Sequence, residues 1–135
     1  MNGGDFVTWD RITIDRTGTS NYAQVVVFNS TAGSAGSQST RITRCRLRGT
    51  TATVTFGELL YAAANGNEDS VRVERTRFEN GTYGFRWGTT ADNDLLLVQD
   101  NVLIGQSVFA LGLTVRDRSF TLRHNTVQTL SLIHI

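Results

Sequence analysis

Four arginines have the residue type and the spacing to act on an anion. Arg44 and Arg46 are followed by Arg75 and Arg77, each 31 positions on (75 − 44 and 77 − 46). A guanidinium is flat, forked and always charged, so two rows of them fit the carboxylate or sulfate groups of an acidic polysaccharide. Exposed arginine stripes more often serve as solvated faces paired with local acids, and Glu74, Glu79 and Asp69 are close enough in sequence to supply them. A second candidate is the run Tyr83, Phe85 and Trp87, in which spacing by two points all three rings one way. Facing out, Tyr83 and Trp87 form a platform for stacking sugars. Facing in, they fill a core, and the equally apolar stretch Val108-Phe109-Ala110-Leu111 favours that reading.

Other chemistries find little support. Asp92-Asn93-Asp94 is the tightest acidic cluster, and it lacks the spaced oxygen ligands and glycine of a calcium loop, so it reads as a turn. Asp10, Asp15 and Asp100 face outward, but Asp10 and Asp100 fall about three repeats apart. A glycosidase pair must lie within about 5 to 9.5 Å. His124 reads as a surface residue. Cys45 is the single cysteine, which excludes an intrachain disulfide or a cysteine cluster, and its inward position makes it a core thiol. No metal or cofactor is expected.

All thirteen basic residues are arginine, balanced by twelve acids to a net charge of +1, so nothing calls for nucleic acid or an anionic membrane as partner. A GC-rich coding sequence produces the same arginine bias. No apolar run approaches the ~20 residues of a membrane span. The start, MNGGDFVTW, lacks the basic and apolar regions of a signal peptide. The expectation is either a cytosolic protein or a missing N-terminus. LSLIHI, residues 130–135, looks like in-frame translation of a sequencing-library adapter, and is expected to be a non-native tail on a single 1–129 unit.

The elements that must position the arginines follow from periodicity. Five segments read in-out-in, two out, in-out-in: residues 7–14, 40–47, 71–78, 96–103 and 120–127. Their anchors Trp9, Ile42, Val73, Val98 and Leu122 lie 33, 31, 25 and 24 residues apart by subtraction, intervals typical of repeat architectures. Alternation on either side of a double-outward step predicts two short strands meeting at a bend. Another strand-like piece follows each of the first four: YAQVVVF (22–28), TATVTF (51–56), YGFRW (83–87) and SVFALGLTV (107–115). Such a repeat cannot bury its apolar face alone, so like strands stack in parallel sheets about 4.8 Å apart. This register places Arg11, Arg44, Arg75, Asp100 and His124 in one outward column, and Arg46 over Arg77 in another. Polar inserts at Asn29–Thr40 and Ala62–Asp69 lengthen the early repeats.

These five segments, with Asn101 and Asn125 inward after the bend, resemble the right-handed parallel β-helix repeats of the pectin-lyase-like superfamily over roughly Asp5 to Thr129. More narrowly, FVTWDRITIDRTGTSNYAQVVVFN, TRCRLRG, FENGTYGFRWG and LVQDNVLIG look like repetitive secreted proteins of Bacteroidetes-type bacteria, commonly exported by the type IX system. The resemblance implies an all-β, right-handed, single-stranded parallel β-helix (solenoid) of about five coils without caps, located outside the cell or on its surface. It departs from the enzymes: the Asn-Thr-Asp, Gly-His-Gly and Arg-Ile-Lys signatures of polygalacturonases are not present, nor is the calcium-aspartate set of pectate lyases. The expected role is therefore a non-catalytic structural or binding segment, with polysaccharide and the adjacent coils of a longer parent as partners. The rival is a fragment of a carbohydrate-active β-helix, a polysaccharide lyase or glycoside hydrolase, or of a phage tailspike. In this register Val73 is central, so Val73→Asp buries an unpaired charge and should abolish folding. Circular dichroism melting checks it, and an unchanged transition would refute the register.

Overall fold

The computed structural model describes residues 6–18, 20–28, 38–62, 70–88, 95–113, 119–128 and 132–134. Residues 29–37 and 63–69, most of the two inserts and including Asp69, and the triplet at 92–94 lie outside the described residues. Every regular element among the described residues is a strand, and the fifteen strands form three parallel sheets. The first sheet stacks β1 (Thr8–Asp10), β4 (Arg41–Thr43), β7 (Val71–Glu74), β10 (Leu96–Gln99) and β13 (Phe120–Arg123). The second stacks β2 (Thr13–Asp15), β5 (Arg46–Arg48), β8 (Arg77–Glu79), β11 (Val102–Ile104) and β14 (Thr126–Gln128). The third stacks β3 (Val26–Phe28), β6 (Glu58–Ala62), β9 (Tyr83–Trp87), β12 (Phe109–Leu113) and β15 (Leu132–His134). Three consecutive strands thus make one coil, with one strand in each sheet.

The alternation dictates the register. Trp9, Ile42, Val73, Val98 and Leu122 are successive Cα partners across the first sheet. Ile14, Leu47, Phe78, Leu103 and Val127 do the same across the second. These columns face the interior, where Ile42, Val73, Val98, Leu47, Phe78 and Leu103 are all buried. Burial of one such side chain is worth roughly 1.5–3 kcal/mol, so repetition of the column, rather than any one contact, supplies the core. The backbone of β15, inside the 130–135 tail, continues the third sheet beside β12.

The double-outward step is a left-handed corner. Arg11, Arg44, Arg75, Asp100 and His124 have φ of 56°, 54°, 51°, 56° and 53°. Left-handed geometry costs a non-glycine residue roughly 1–2 kcal/mol, so something must hold it five times over. Backbone bonding continues through the turn: the Arg44, Arg75 and Asp100 amides donate to carbonyls of Glu74, Gln99 and Arg123 in the following coil. The next residue points inward and forms a ladder. The Cys45 amide donates to Thr76 Oγ1 (3.4 Å), the Thr76 amide to Asn101 Oδ1 (2.9 Å) and the Asn101 amide to Asn125 Oδ1 (3.0 Å). Asn101 Nδ2 also donates to the Val73 carbonyl and Asn125 Nδ2 to that of Val98, at 2.9 and 3.0 Å. Side chains therefore satisfy the backbone groups that the bend turns inward, where an unmade bond is expensive.

Between β8 and β9 the chain bends at Asn80-Gly81, both left-handed at φ 59° and 81°. Gly84 has a different role: a Cβ there would sit 2.4 Å from the Ala110 carbonyl, so only glycine lets the coils approach. Replacing Asn101 with Ala strips the acceptor from the Thr76 amide and the donor from the Val73 carbonyl. At about 1–3 kcal/mol per orphaned group, urea unfolding should show a loss of about 2–6 kcal/mol, larger than for Asn125→Ala in the half-open last coil. Equal, negligible losses would contradict the ladder.

Candidate functional site

The arginine columns form, and they are largely neutralised. Arg46 and Arg77 are Cα partners, stacked one strand apart. Like charges so placed repel, and carboxylates from neighbouring coils offset this. The second coil carries four outward arginines. Arg44 Nε and Nη2 donate to Asp10 Oδ1 and Oδ2, both at 2.6 Å, and Arg48 Nη1 to Asp15 at 2.8 Å, reaching back to the first coil. Arg41 Nε reaches forward to Glu74 (2.8 Å), Arg46 to Glu79 (2.9 and 2.6 Å) and Arg48 Nε to Glu79 (3.2 Å) in the third coil. Glu79 also accepts from Arg77 Nε of its own strand. Glu74 takes a further bond from Gln99 Nε2 (2.7 Å), whose Oε1 accepts from Arg123 Nε (2.7 Å). A cationic coil thus lies between two acid-bearing ones. Arg75 alone of the four candidates has no acidic partner among the described residues.

Three guanidiniums on one carboxylate set its acidity. Burial by itself would push the Glu79 carboxyl up, but hydrogen bonds from Arg46, Arg77 and Arg48 outweigh it and pull it down to about 2. The Arg44 fork likewise holds Asp10 below the usual carboxylate range. Arg44 and Arg48 are held above the ordinary guanidinium value, by Asp10 and, first, by Glu79 respectively.

The rings separate. Gly84 and Phe85 are both buried, so the alternation in β9 slips by one residue and Tyr83 no longer faces the same way as Phe85 and Trp87. Trp87 is 1% exposed, edge-on to Phe28 (5.2 Å) and stacked on Phe85 (5.5 Å). Tyr83 lies on the outer face, stacked with Phe109 of the next coil at 5.8 Å. The Arg86 guanidinium sits 5.3 Å from the Tyr83 ring centre and 5.6 Å from that of Tyr61. Arg86 Nη1 also donates to the buried Glu58 (2.9 Å), which accepts from Gln24 Nε2 as well (3.1 Å). The shared Tyr83–Trp87 platform is therefore not formed, and Tyr83 is engaged by Phe109 and by an arginine bonded to the preceding coil.

Sequence reasoning named Glu74 and Glu79 as neutralising acids and missed Asp10, Asp15 and the Arg86–Glu58 pair. The signal was the coil offset: acids at the second-sheet and corner-flanking positions of segments one and three bracket the arginines of segment two. His124, read as a surface residue, is exposed and has Nδ1 3.4 Å from Asp100 Oδ1 in the corner column. Cys45 is buried, its thiol donating to the carbonyls of Thr43 (3.2 Å) and Trp9 (3.5 Å). Among the described residues no group of three His, Cys, Asp or Glu side chains is placed to hold a metal ion, and no helix is long and apolar enough to cross a membrane. No family model, curated protein or solved structure matches the chain.

Because its pKa is depressed on folding, Glu79 stabilises the fold fully above its ordinary value of 4.5, and that contribution disappears as pH falls from there to about 2. Part-exposed arginines discount the effect to on the order of 1–3 kcal/mol. Urea unfolding at pH 7 and pH 3 should therefore show a smaller acid-induced loss in Glu79→Gln than in the parent. Equal losses would show that the three-arginine contact carries no weight.

Proposed function

We propose that the chain is a right-handed, single-stranded parallel β-helix of the pectin-lyase-like type whose side chains serve structure and binding rather than turnover. It would form part of a secreted or cell-surface protein that contacts anionic glycan. The three-strand repeat with parallel partners supports the winding, since parallel crossovers are overwhelmingly right-handed. The extracellular setting rests on the resemblance of the sequence segments. One observation carries the role: Asp10, Asp15, Glu74 and Glu79 are all committed to arginines across coil boundaries. Carboxylates held as arginine partners are poorly suited to act as acid, base or nucleophile, because the ionised form is stabilised.

Glycan contact falls to the guanidiniums with donors to spare. Arg75 is exposed on its corner without an acidic partner among the described residues. Arg77, 52% exposed, bonds Glu79 through Nε. Arg44 and Arg46 are tied through two nitrogens each and contribute field more than contact.

Affinity electrophoresis against a polyuronate, a sulfated glycan and a neutral glucan tests this. The anionic polymers should retard the chain, salt should abolish the effect, and Arg75→Ala with Arg77→Ala should weaken it several-fold. Polymer length should stay unchanged on incubation. Absence of retardation would remove the glycan, and scission would replace binding with catalysis.

A further inference from the structure

The third coil carries the arginines least claimed by acids. The guanidiniums of Arg72 and Arg75 are exposed and have no partner among the described residues, and Arg77 bonds Glu79 through Nε alone. In the second coil the same three columns hold Arg41, Arg44 and Arg46, each bonded to a carboxylate. In the fourth they hold Leu97, Asp100 and Val102, all half-buried, whose side chains offer an anion no donor. Glu74 and Glu79, the acids within the third coil's own row, are buried and bonded to arginines. The third and fourth coils lie inside the stack with a described coil on either side, so neither row owes its exposure to a chain end.

We propose that these two rows together bind an acidic glycan whose charges all lie on one edge. The glycan crosses the stack by following the third coil: its acidic groups meet Arg72, Arg75 and Arg77, and its uncharged sugar faces lie over Leu97 and Val102. Arg72 to Arg77 is five residues, so the row is at most about 17 Å long. Running along the stack instead, an acidic chain would pass from Arg72 to Leu97 and from Arg75 to Asp100, losing its donors at once.

Asp100 is the specificity-determining residue. It follows Arg75 in the corner column, one strand spacing of about 4.8 Å away, where a second charged edge would fall. A like charge there rejects the wrong ligand as effectively as the arginines attract the right one. The class that fits alternates a uronic acid with a neutral sugar, because sugars that face opposite ways in turn put every second substituent on the same edge. A chain acidic at every sugar carries charge on both edges. The inference rests on the anionic-glycan reading above and adds to it the charge pattern of the ligand, its direction across the coils and the role of Arg72.

Isothermal titration of the full 135-residue chain at neutral pH tests it, with an alternating uronate–neutral glycan and a homopolymer acidic at every sugar. The alternating glycan should bind several-fold tighter despite its lower charge. Arg72→Gln should weaken that binding several-fold with an unchanged circular dichroism melt, and Arg46→Gln, in the second coil, should cost less. Asparagine tolerates the left-handed corner, so Asp100→Asn should fold; it should raise affinity for the homopolymer several-fold and leave the alternating glycan nearly unchanged. A homopolymer that binds tighter, a silent Arg72→Gln, a larger loss in Arg46→Gln, or equal gains for both glycans in Asp100→Asn would overturn the transverse site and leave anionic binding intact. Failure of both glycans to bind would remove the two together.

Discussion

The left-handed corner is the constraint on which the other features depend. It recurs at Arg11, Arg44, Arg75, Asp100 and His124, positions that glycine would occupy at no conformational cost. Five arginine, aspartate or histidine residues hold it because hydrogen bonding across coils compensates. A corner could not relax without breaking the bonds on both sides of it: the corner amide to the next coil's carbonyl, and the inward residue's amide to the next side chain. Equal corners keep the first two sheets at one angle, and equal angles keep the columns in register. Fold and surface chemistry then have one origin, since the corners that aim Cys45 and Thr76 inward also turn Arg44 and Arg75 out.

Charge is arranged along the stack rather than around it. The second coil presents four arginines, acids of the first and third coils reach them, and much of the neutralisation runs between coils. Isolated surface pairs are worth little, about 0–1 kcal/mol each, but the Arg44–Asp10 contact is bidentate and Glu79 gathers three guanidiniums, the conditions under which ion pairs gain weight. This pattern also opposes slippage. Moving the second coil's partners by one residue would turn Glu74 and Glu79 inward while Val73 and Phe78 turned out, with loss of core and of charge pairing together. The Tyr61–Arg86–Tyr83–Phe109 stack does similar work on the third sheet, where the buried Glu58 needs Arg86 as its counter-ion.

Much of this was legible in the sequence because strands alternate with period two and the bend breaks that period visibly. Trp9, Ile42, Val73, Val98 and Leu122 could be aligned by eye, and Asn101 and Asn125 then fell on the inward side of the bend. Three things were not legible. The slip at Gly84-Phe85 leaves no mark in an aromatic run, since Tyr83 and Trp87 are equally suited to either face; only the close approach of Ala110 reveals it. Ion partners depend on rotamers reaching one coil up or down, so Asp10 and Asp15 could be seen as outward but not as claimed by Arg44 and Arg48. Half-exposure of the end coils follows from stacking, which no single repeat encodes.

Five coils thus share one parallel register held by the corners. Backbone nuclear Overhauser contacts in the isotope-labelled chain test it most directly. Parallel-strand contacts should link Trp9 to Ile42, Ile42 to Val73, Val73 to Val98 and Val98 to Leu122, with protected amides at Thr76 and Asn101. Antiparallel contacts between strands adjacent in sequence, or a register that sets Glu74 beside Val98, would contradict it.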